Sequence, residues 1–173
     1  LLLEERKPSM AITIRRYKSG VYREDGAMRE DKPRVRTVRG GGLIPETQLL
    51  TNGQYTLFLC DGGLSFSRCG DVMLTRWRPD VMRSDSGVHV AVRDGNCAWP
   101  VASIPSGPND GALITALEPH KVTFSREENG IRAKLECCVS PQHNAEVRRL
   151  TLSSTASEAR ELEVGVFAEV CLE

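Results

Sequence analysis

Arg76-Trp77-Arg78 is the densest cluster of recognition chemistry in the chain, an indole between two guanidinium groups. An indole face accepts the apolar side of a pyranose ring, and a guanidinium fork hydrogen-bonds to hydroxyls. The same residues also suit a core or interface anchor whose arginines form ion pairs. Asp71, Asp80, Asp85 and Asp94 could supply a carboxylate pair for acid–base work on a glycoside. Acids in β-turns, however, chiefly cap backbone groups. There is no G-x-S-x-G, and none of the cysteine-protease contexts surrounds any Cys. The glycines at Gly40 to Gly42 and Gly62-Gly63 are not followed by a strand-to-helix switch, so a phosphate cradle is not indicated.

Cysteine and histidine spacing argues against a metal. Cys60, Cys69, Cys97, Cys137, Cys138 and Cys171 contain no C-x-x-C pair, and His89, His120 and His143 are scattered. No cofactor and no metal is expected. Cys137 and Cys138 are adjacent in an extended stretch, so they point to opposite faces, and only Cys137 shares the apolar one. Cys60 and Cys171 read as core positions within strands. Six free thiols are expected, with Cys138 among the more accessible.

The elements that must position these residues are β-strands. Asn52-Gly53 precedes Gln54 to Cys60, apolar on both faces, and Val88 to Val92 and Leu113 to Leu117 are shorter candidates. From Lys121 to Val139 the signal is strongest. Val122 and Phe124 lead to a Glu128-Asn129-Gly130 turn, after which Ile131, Ala133, Leu135, Cys137 and Val139 alternate with polar residues. Val147 to Ser153 and Leu162 to Cys171 complete the series, the latter with Leu162, Val164, Val166, Ala168 and Val170 on one face. Strands joined by short polar turns, with no helical pattern, define an all-β chain with an antiparallel sheet doubled into a sandwich.

Residues 9–43 differ from this body. Between Ser9 and Gly42 there are nine Lys/Arg against four Asp/Glu, closing on Gly40-Gly41-Gly42. The composition describes a solvated basic connector with one short strand at Ala11 to Tyr17. The whole chain balances 23 basic against 23 acidic side chains, which gives no support to nucleic-acid binding. No apolar run approaches the ~20 residues that span a bilayer, so direct membrane insertion is not expected. The start on Leu1 suggests a piece of something longer, and a terminal Leu-Glu can be a cloning remnant, so Glu173 is not taken as native.

Three stretches carry a family resemblance: Glu46 to Tyr55 (ETQLLTNGQY), Gly62 to Arg68 (GGLSFSR) and Leu74 to Asp80 (LTRWRPD). Together with Val92-Arg93-Asp94-Gly95, Val139-Ser140-Pro141, Glu146 to Leu152 and Ala168-Glu169-Val170, they resemble the cyclic β-1,2-glucan synthases. The match lies at the start of the glycoside phosphorylase module of family 94, shared more distantly with cellobiose and chitobiose phosphorylases. Residues 1–8 resemble the tail of the preceding module, and Gln54 and Leu64 depart from the family pattern.

The resemblance implies an N-terminal β-supersandwich of the galactose-mutarotase-like type over residues 44–173, incomplete at this length. It implies a helical (α/α)6 catalytic barrel that is absent from this chain, so the fragment itself is expected to be a soluble non-enzyme. It further implies a larger parent at the cytoplasmic side of a bacterial inner membrane, acting on β-glucan. Within the resemblance the candidate carbohydrate-binding residues are Arg76, Trp77, Arg78, Arg93, Asp94 and Trp99, with no catalytic residue among them. The expected partners are a β-glucan oligosaccharide, the barrel of the parent chain and a second copy through unpaired strand edges. A purely structural or dimerisation domain, and a free-standing carbohydrate-binding module, are the alternatives. With nine aromatic residues, two of them Trp, the chain is sparse for a free-standing module that relies on an aromatic platform.

Overall fold

The computed structural model describes residues 35–39, 45–77, 86–102, 113–155 and 157–171. Every regular element among them is a strand: β1 Arg36–Arg39, β2 Thr47–Thr51, β3 Tyr55–Cys60, β4 Ser65–Cys69, β5 Val72–Met73 and β6 Val88–Asp94. The rest are β7 Cys97–Pro100, β8 Ile114–Leu117, β9 Val122–Glu128, β10 Ile131–Val139, β11 Glu146–Ser154 and β12 Leu162–Ala168. All pairings are antiparallel. They form a five-stranded sheet in the order β1-β8-β9-β10-β11, a four-stranded meander β2-β3-β4-β5 and a three-stranded sheet β12-β6-β7. Among the described residues no helix is long and apolar enough to cross a membrane.

The register follows from the alternation. Across the Asn129-Gly130 turn, both residues take positive φ (51° and 73°), the conformation that folds two strands back with the right twist. Ile131, Ala133, Leu135 and Cys137 thereby face inward, each 3% exposed or less. They meet Val122 and Phe124 of β9, Leu57 and Leu59 of β3, and Val90, Val92, Trp99 and Val101 from the β6–β7 side. The inward faces of all three sheets therefore share one core. Thr115, 1% exposed, ties the layers where apolar packing ends, donating its hydroxyl to the Asp61 carbonyl at 2.7 Å.

Two local differences from the pattern reading are informative. Arg36–Arg39, inside the stretch read as a solvated connector, is an edge strand on β8. Only Val38 turns toward the core, so Arg-Thr-Val-Arg carries too little apolar signal to register as a strand. The strand expected at Ala11 to Tyr17 lies outside the described residues. The second difference is β12: its one-face series is present, but Val164 and Val166 are 49% and 68% exposed. They stand opposite Val92 and Val90 in β6, which are buried. The apolar face was read correctly as a face, but no described strand of the second layer covers it.

The six cysteines are free, with Cys60 and Cys137 buried, Cys97 exposed and the other three half-buried. Cys137 is inward and Cys138 outward, as adjacent strand positions require. Burial pushes the Cys137 thiol up to about 11, which keeps it protonated and unreactive at neutral pH. With a chromogenic disulfide reagent and no reductant, Cys97 reacts first, Cys60 and Cys137 react only on unfolding, and the denatured total is six. A denatured total below six would show a disulfide.

One glycine is fixed by its neighbour rather than by a turn. Gly87 has φ 104°, and a Cβ there would collide with the hydroxyl and carbonyl oxygens of Ser65. Gly87→Ala is expected to destabilise the fold by roughly 3 kcal/mol or more in urea unfolding. Gly53→Ala is the comparison, because its φ of 97° is also positive but nothing lies within 4 Å of its Cβ. It is expected to cost about 1–2 kcal/mol from backbone strain alone.

Candidate functional site

Trp77 follows the short β5 strand and folds back over the outer face of the meander. In β3 and β4, Leu57 and Leu59 point inward, so Phe58 and its register partner Phe66 point outward. The Trp77 ring stands edge-on to Phe58, centroids 5.7 Å apart at 84°, and tilts against Phe66 at 5.8 Å and 54°. Phe58 and Phe66 are themselves 6.4 Å apart. Beside them Leu49, opposite Phe58, is 56% exposed. The result is a half-exposed aromatic patch in which each ring supports the other two, an arrangement worth about 0.5–1.5 kcal/mol per pair beyond the area buried.

The other expected residues are not gathered on this patch. Arg76 pairs with Glu169, Nε to Oε1 3.2 Å, and its backbone N–H donates to the Glu169 carbonyl at 3.1 Å. Arg78 lies outside the described residues. Arg93 pairs with Glu163 at 2.5 Å on the outer face of β6 and β12. Glu163 lies near the start of β12 and Glu169 directly follows its last residue, so Arg93 and Arg76 serve opposite ends of that strand. Asp94 accepts from Arg160 at 3.0 Å, and Arg160 also donates to the Asn129 carbonyl at 2.7 Å. That fastens the loop before β12 to the β9–β10 turn. Trp99 is 4% exposed, opposite Val92 in the core, and offers no face to a ligand. Its indole N–H has no hydrogen-bond partner among the described residues.

A shallow groove of about 400 Å³ opens on the outer face of β6, β7 and β12, with Ala91, Pro100 and Gly165 as its floor. Its wall is His89 stacked on Phe167, centroids 6.4 Å apart at 26°.

A buried polar network centred on Glu146 was not singled out in the sequence. Glu146, at the start of β11, accepts from the Tyr55 hydroxyl at 3.1 Å and the Ser67 hydroxyl at 2.5 Å. Its other oxygen accepts from Arg148 Nε at 2.8 Å. Arg148 donates onward to the Val88 carbonyl and to the Ser65 hydroxyl, both at 3.1 Å. Side-chain exposures of 15% and 11% place this ion pair largely out of water. Ser65 in turn accepts from the Val88 N–H at 3.2 Å, and this close approach leaves no room for a Cβ at Gly87. Asn52 does comparable work nearby. Its Oδ1 accepts from the N–H groups of Gln54 and Tyr55, while its Nδ2 donates to the Ser140 and His143 carbonyls at 2.9 Å each. No group of three or more His, Cys, Asp or Glu placed to hold a metal occurs among the described residues.

The family described as glycosyl hydrolase 94, supersandwich domain, matches residues 36–173. The chain belongs to that family. The match begins at the first residue of β1, which makes that strand part of the domain. Among curated proteins the chain is 31% identical over 144 residues to the cyclic beta-(1,2)-glucan synthase NdvB of Rhizobium meliloti (strain 1021). The alignment covers 82% of this chain and 5% of that protein, so the chain spans a small part of the relative's length.

In this supersandwich domain, the stretches that carried the resemblance hold one another. Asn52 reaches Ser140, Tyr55 and Ser67 reach Glu146, and Ser65 reaches Arg148. Sequence spacing could not reveal this, since these partners are 79 to 91 residues apart.

Two clusters give the domain opposite pH limits. Burial, and secondarily the Glu146 charge, pushes the Tyr55 hydroxyl up to about 12 from 10.0. Cys137 rises for the same first reason. Groups that hold their protons more tightly when folded stabilise fully below their unfolded values, and that contribution is lost as pH rises. Stability should therefore decline from about pH 9 toward 12, and Tyr55→Phe should flatten the upper part of that decline. Glu136 goes the other way, lowered to about 2 from 4.5 by hydrogen bonds from Arg149, Lys121 and Lys134. Its contribution is present above pH 4.5 and disappears as pH falls toward 2. Glu136→Gln should flatten the acid limb of urea-unfolding free energy against pH; an unchanged slope would show that the cluster adds nothing.

Proposed function

We propose that this supersandwich is a non-catalytic part of a longer glucan-handling enzyme. In that role it contacts β-glucan through the Phe58–Phe66–Trp77 patch and supports a helical catalytic barrel carried elsewhere in the parent. The observation that carries the sugar-contact reading is the patch itself. Three mutually buttressed, half-buried rings on the outer face of the meander offer apolar surface that suits the apolar face of a pyranose better than a hydroxyl-binding pocket would. Arg76 is engaged by Glu169 and is not gathered on the patch, so the proposed contact rests on the three rings. Arg93, Asp94 and Trp99 lie away from this surface and have no part in the proposed contact. The name of the relative, a cyclic beta-(1,2)-glucan synthase, points to the ligand class. A parent at the cytoplasmic side of a bacterial inner membrane is part of the proposal and rests on the family resemblance alone.

A second reading follows from Leu49, 56% exposed against the rings. An aliphatic neighbour suits a protein partner as well as a sugar, so the same patch could seat the barrel and leave the domain purely structural.

Calorimetric titration with linear β-1,2-glucan oligomers separates the two. Binding in the millimolar range is expected, about −4 kcal/mol, with Trp77→Ala weakening it about tenfold and the buried Trp99 fluorescence unchanged. No heat at millimolar ligand would leave the structural role. Incubation of the chain with β-1,2-glucan or cellobiose and phosphate should release no sugar phosphate; robust release would overturn the non-catalytic assignment.

A further inference from the structure

We propose that Thr56 and Arg68, a cross-strand pair beside the three rings, bind the free vicinal diol of a stacked glucopyranose and so favour β-1,2-linked over β-1,3-linked glucan. This rests on the sugar-contact reading of the Phe58–Phe66–Trp77 patch and names what that patch would distinguish. Strand register supplies the placement. Leu57, Leu59 and Ser67 point inward, so Thr56 and Phe58 of β3 share the outer face with Phe66 and Arg68 of β4. Phe58 stands opposite Phe66, and Thr56 stands opposite Arg68. The meander therefore carries an apolar row and, two residues or about 7 Å along, a polar row.

Arg68 is oriented before any ligand arrives. Its Nε and Nη2 both donate to the Gly70 carbonyl, at 3.0 and 2.7 Å, and Nη2 lies 3.8 Å from Asp71 Oδ1. The guanidinium plane is thereby set although the side chain is 47% exposed. Nη1 has no hydrogen-bond partner among the described residues, so its N–H groups remain for a ligand. A donor already held in place loses little side-chain entropy on binding. Thr56 supplies the opposite polarity. The Thr51 hydroxyl donates to the Tyr55 carbonyl at 2.9 Å and accepts from the Gly53 N–H at 3.0 Å. With that proton committed, the 3.4 Å contact between the two threonine hydroxyls takes its proton from Thr56. The Thr56 oxygen keeps its lone pairs to accept with.

An acceptor on β3 beside a donor on β4 suits a vicinal diol, in which one hydroxyl donates and its neighbour accepts. Every ring hydroxyl of a β-linked glucopyranose is equatorial and projects from the ring edge. A ring laid on Phe58 and Phe66 therefore directs its edge hydroxyls along the sheet, toward the polar row. Linkage decides whether a diol is there to be read. A β-1,2-linked chain leaves the hydroxyls at C3 and C4 free on each internal ring, and these are neighbours. A β-1,3-linked chain leaves those at C2 and C4, which are not. Stacking alone does not separate the two chains, because both present the same apolar faces.

Amide-detected NMR titration of the full chain, with linear β-1,2-glucan and β-1,3-glucan oligomers of equal length, tests this. The native chain is expected to bind the β-1,2 oligomer about tenfold more tightly. Arg68→Ala should abolish that preference and Thr56→Val should reduce it about threefold, each by weakening β-1,2 binding alone. Trp77→Ala, which removes stacking surface, should weaken both oligomers alike. Urea unfolding shows whether each variant is folded, and the isosteric Thr56→Val carries the test if Arg68→Ala is not. Equal affinity of the native chain for both oligomers overturns the proposal and leaves the contact at the rings standing. A preference untouched by both variants overturns it likewise. Binding of neither oligomer removes the sugar-contact reading, and this proposal with it.

Discussion

A single carboxylate holds the two layers in register. Glu146 sits where β11 passes over β3 and β4, and each of its oxygens is occupied by a group from a different part of the chain. An ion pair this far from water is not a net gain by its charges alone, because desolvation offsets most of the attraction. What it provides is specificity. The Glu146–Arg148 pair is satisfied only when β3, β4, β6 and β11 are all in place, since Tyr55, Ser67, Ser65 and the Val88 carbonyl come from those strands. A shift of β11 by one residue would turn Glu146 and Arg148 to solvent and put Val147 and Arg149 over the core. The apolar core tolerates many arrangements of similar volume; this network tolerates one.

The network also sets local backbone choices that would otherwise look arbitrary. Ser65 must lie close enough to accept from both Arg148 and the Val88 N–H, and the chain entering β6 has to pass directly over it. Only glycine at 87, with φ 104°, allows that approach. Asn52 extends the arrangement to the sandwich end by caging the Gln54 and Tyr55 N–H groups on one side and the loop after β10 on the other. The requirement for buried polar groups to be satisfied thus propagates from one carboxylate through the meander to the β10–β11 loop.

Periodicity exposed the strands whose faces differ in polarity. β9, β10 and β12 were visible from alternation and β11 from its apolar positions, while β3 showed as a run apolar on both faces and β6 and β8 as shorter apolar runs. The strands it missed fail for definite reasons. β1 turns only Val38 toward the core and β2 buries only Leu50, β5 is two residues long, and β4 and β7 mix Ser, Cys, Arg, Ala and Pro in runs too short to show a period. The candidate site was legible only in part. Trp77, which by sequence suits either a sugar platform or a core or interface anchor, lies on the outer face of the meander, and its supports Phe58 and Phe66 look in sequence like ordinary residues of an apolar strand. Trp99 was indistinguishable from Trp77 by type, and only its register opposite Val92 sends it into the core. Arg93 and Asp94 are neighbours whose side chains leave opposite faces of β6, so adjacency in sequence set them apart in space.

These placements bear on what family resemblance can carry. Most of the matched stretches contribute to the Glu146 network or to the Asn52 cage, so the similarity encodes the junction of the layers more than any one ligand contact. Trp77, Phe66 and Arg93 differ, since they lie in such stretches yet face outward. A half-exposed indole contributes less to stability than a buried one, and its apolar ring remains available to a partner. The supersandwich therefore divides its side chains by direction: the inward polar ones specify the fold, and the outward aromatic ones are left to whatever the domain touches. The two sets share strands but not faces, so substitutions in one leave the packing of the other intact.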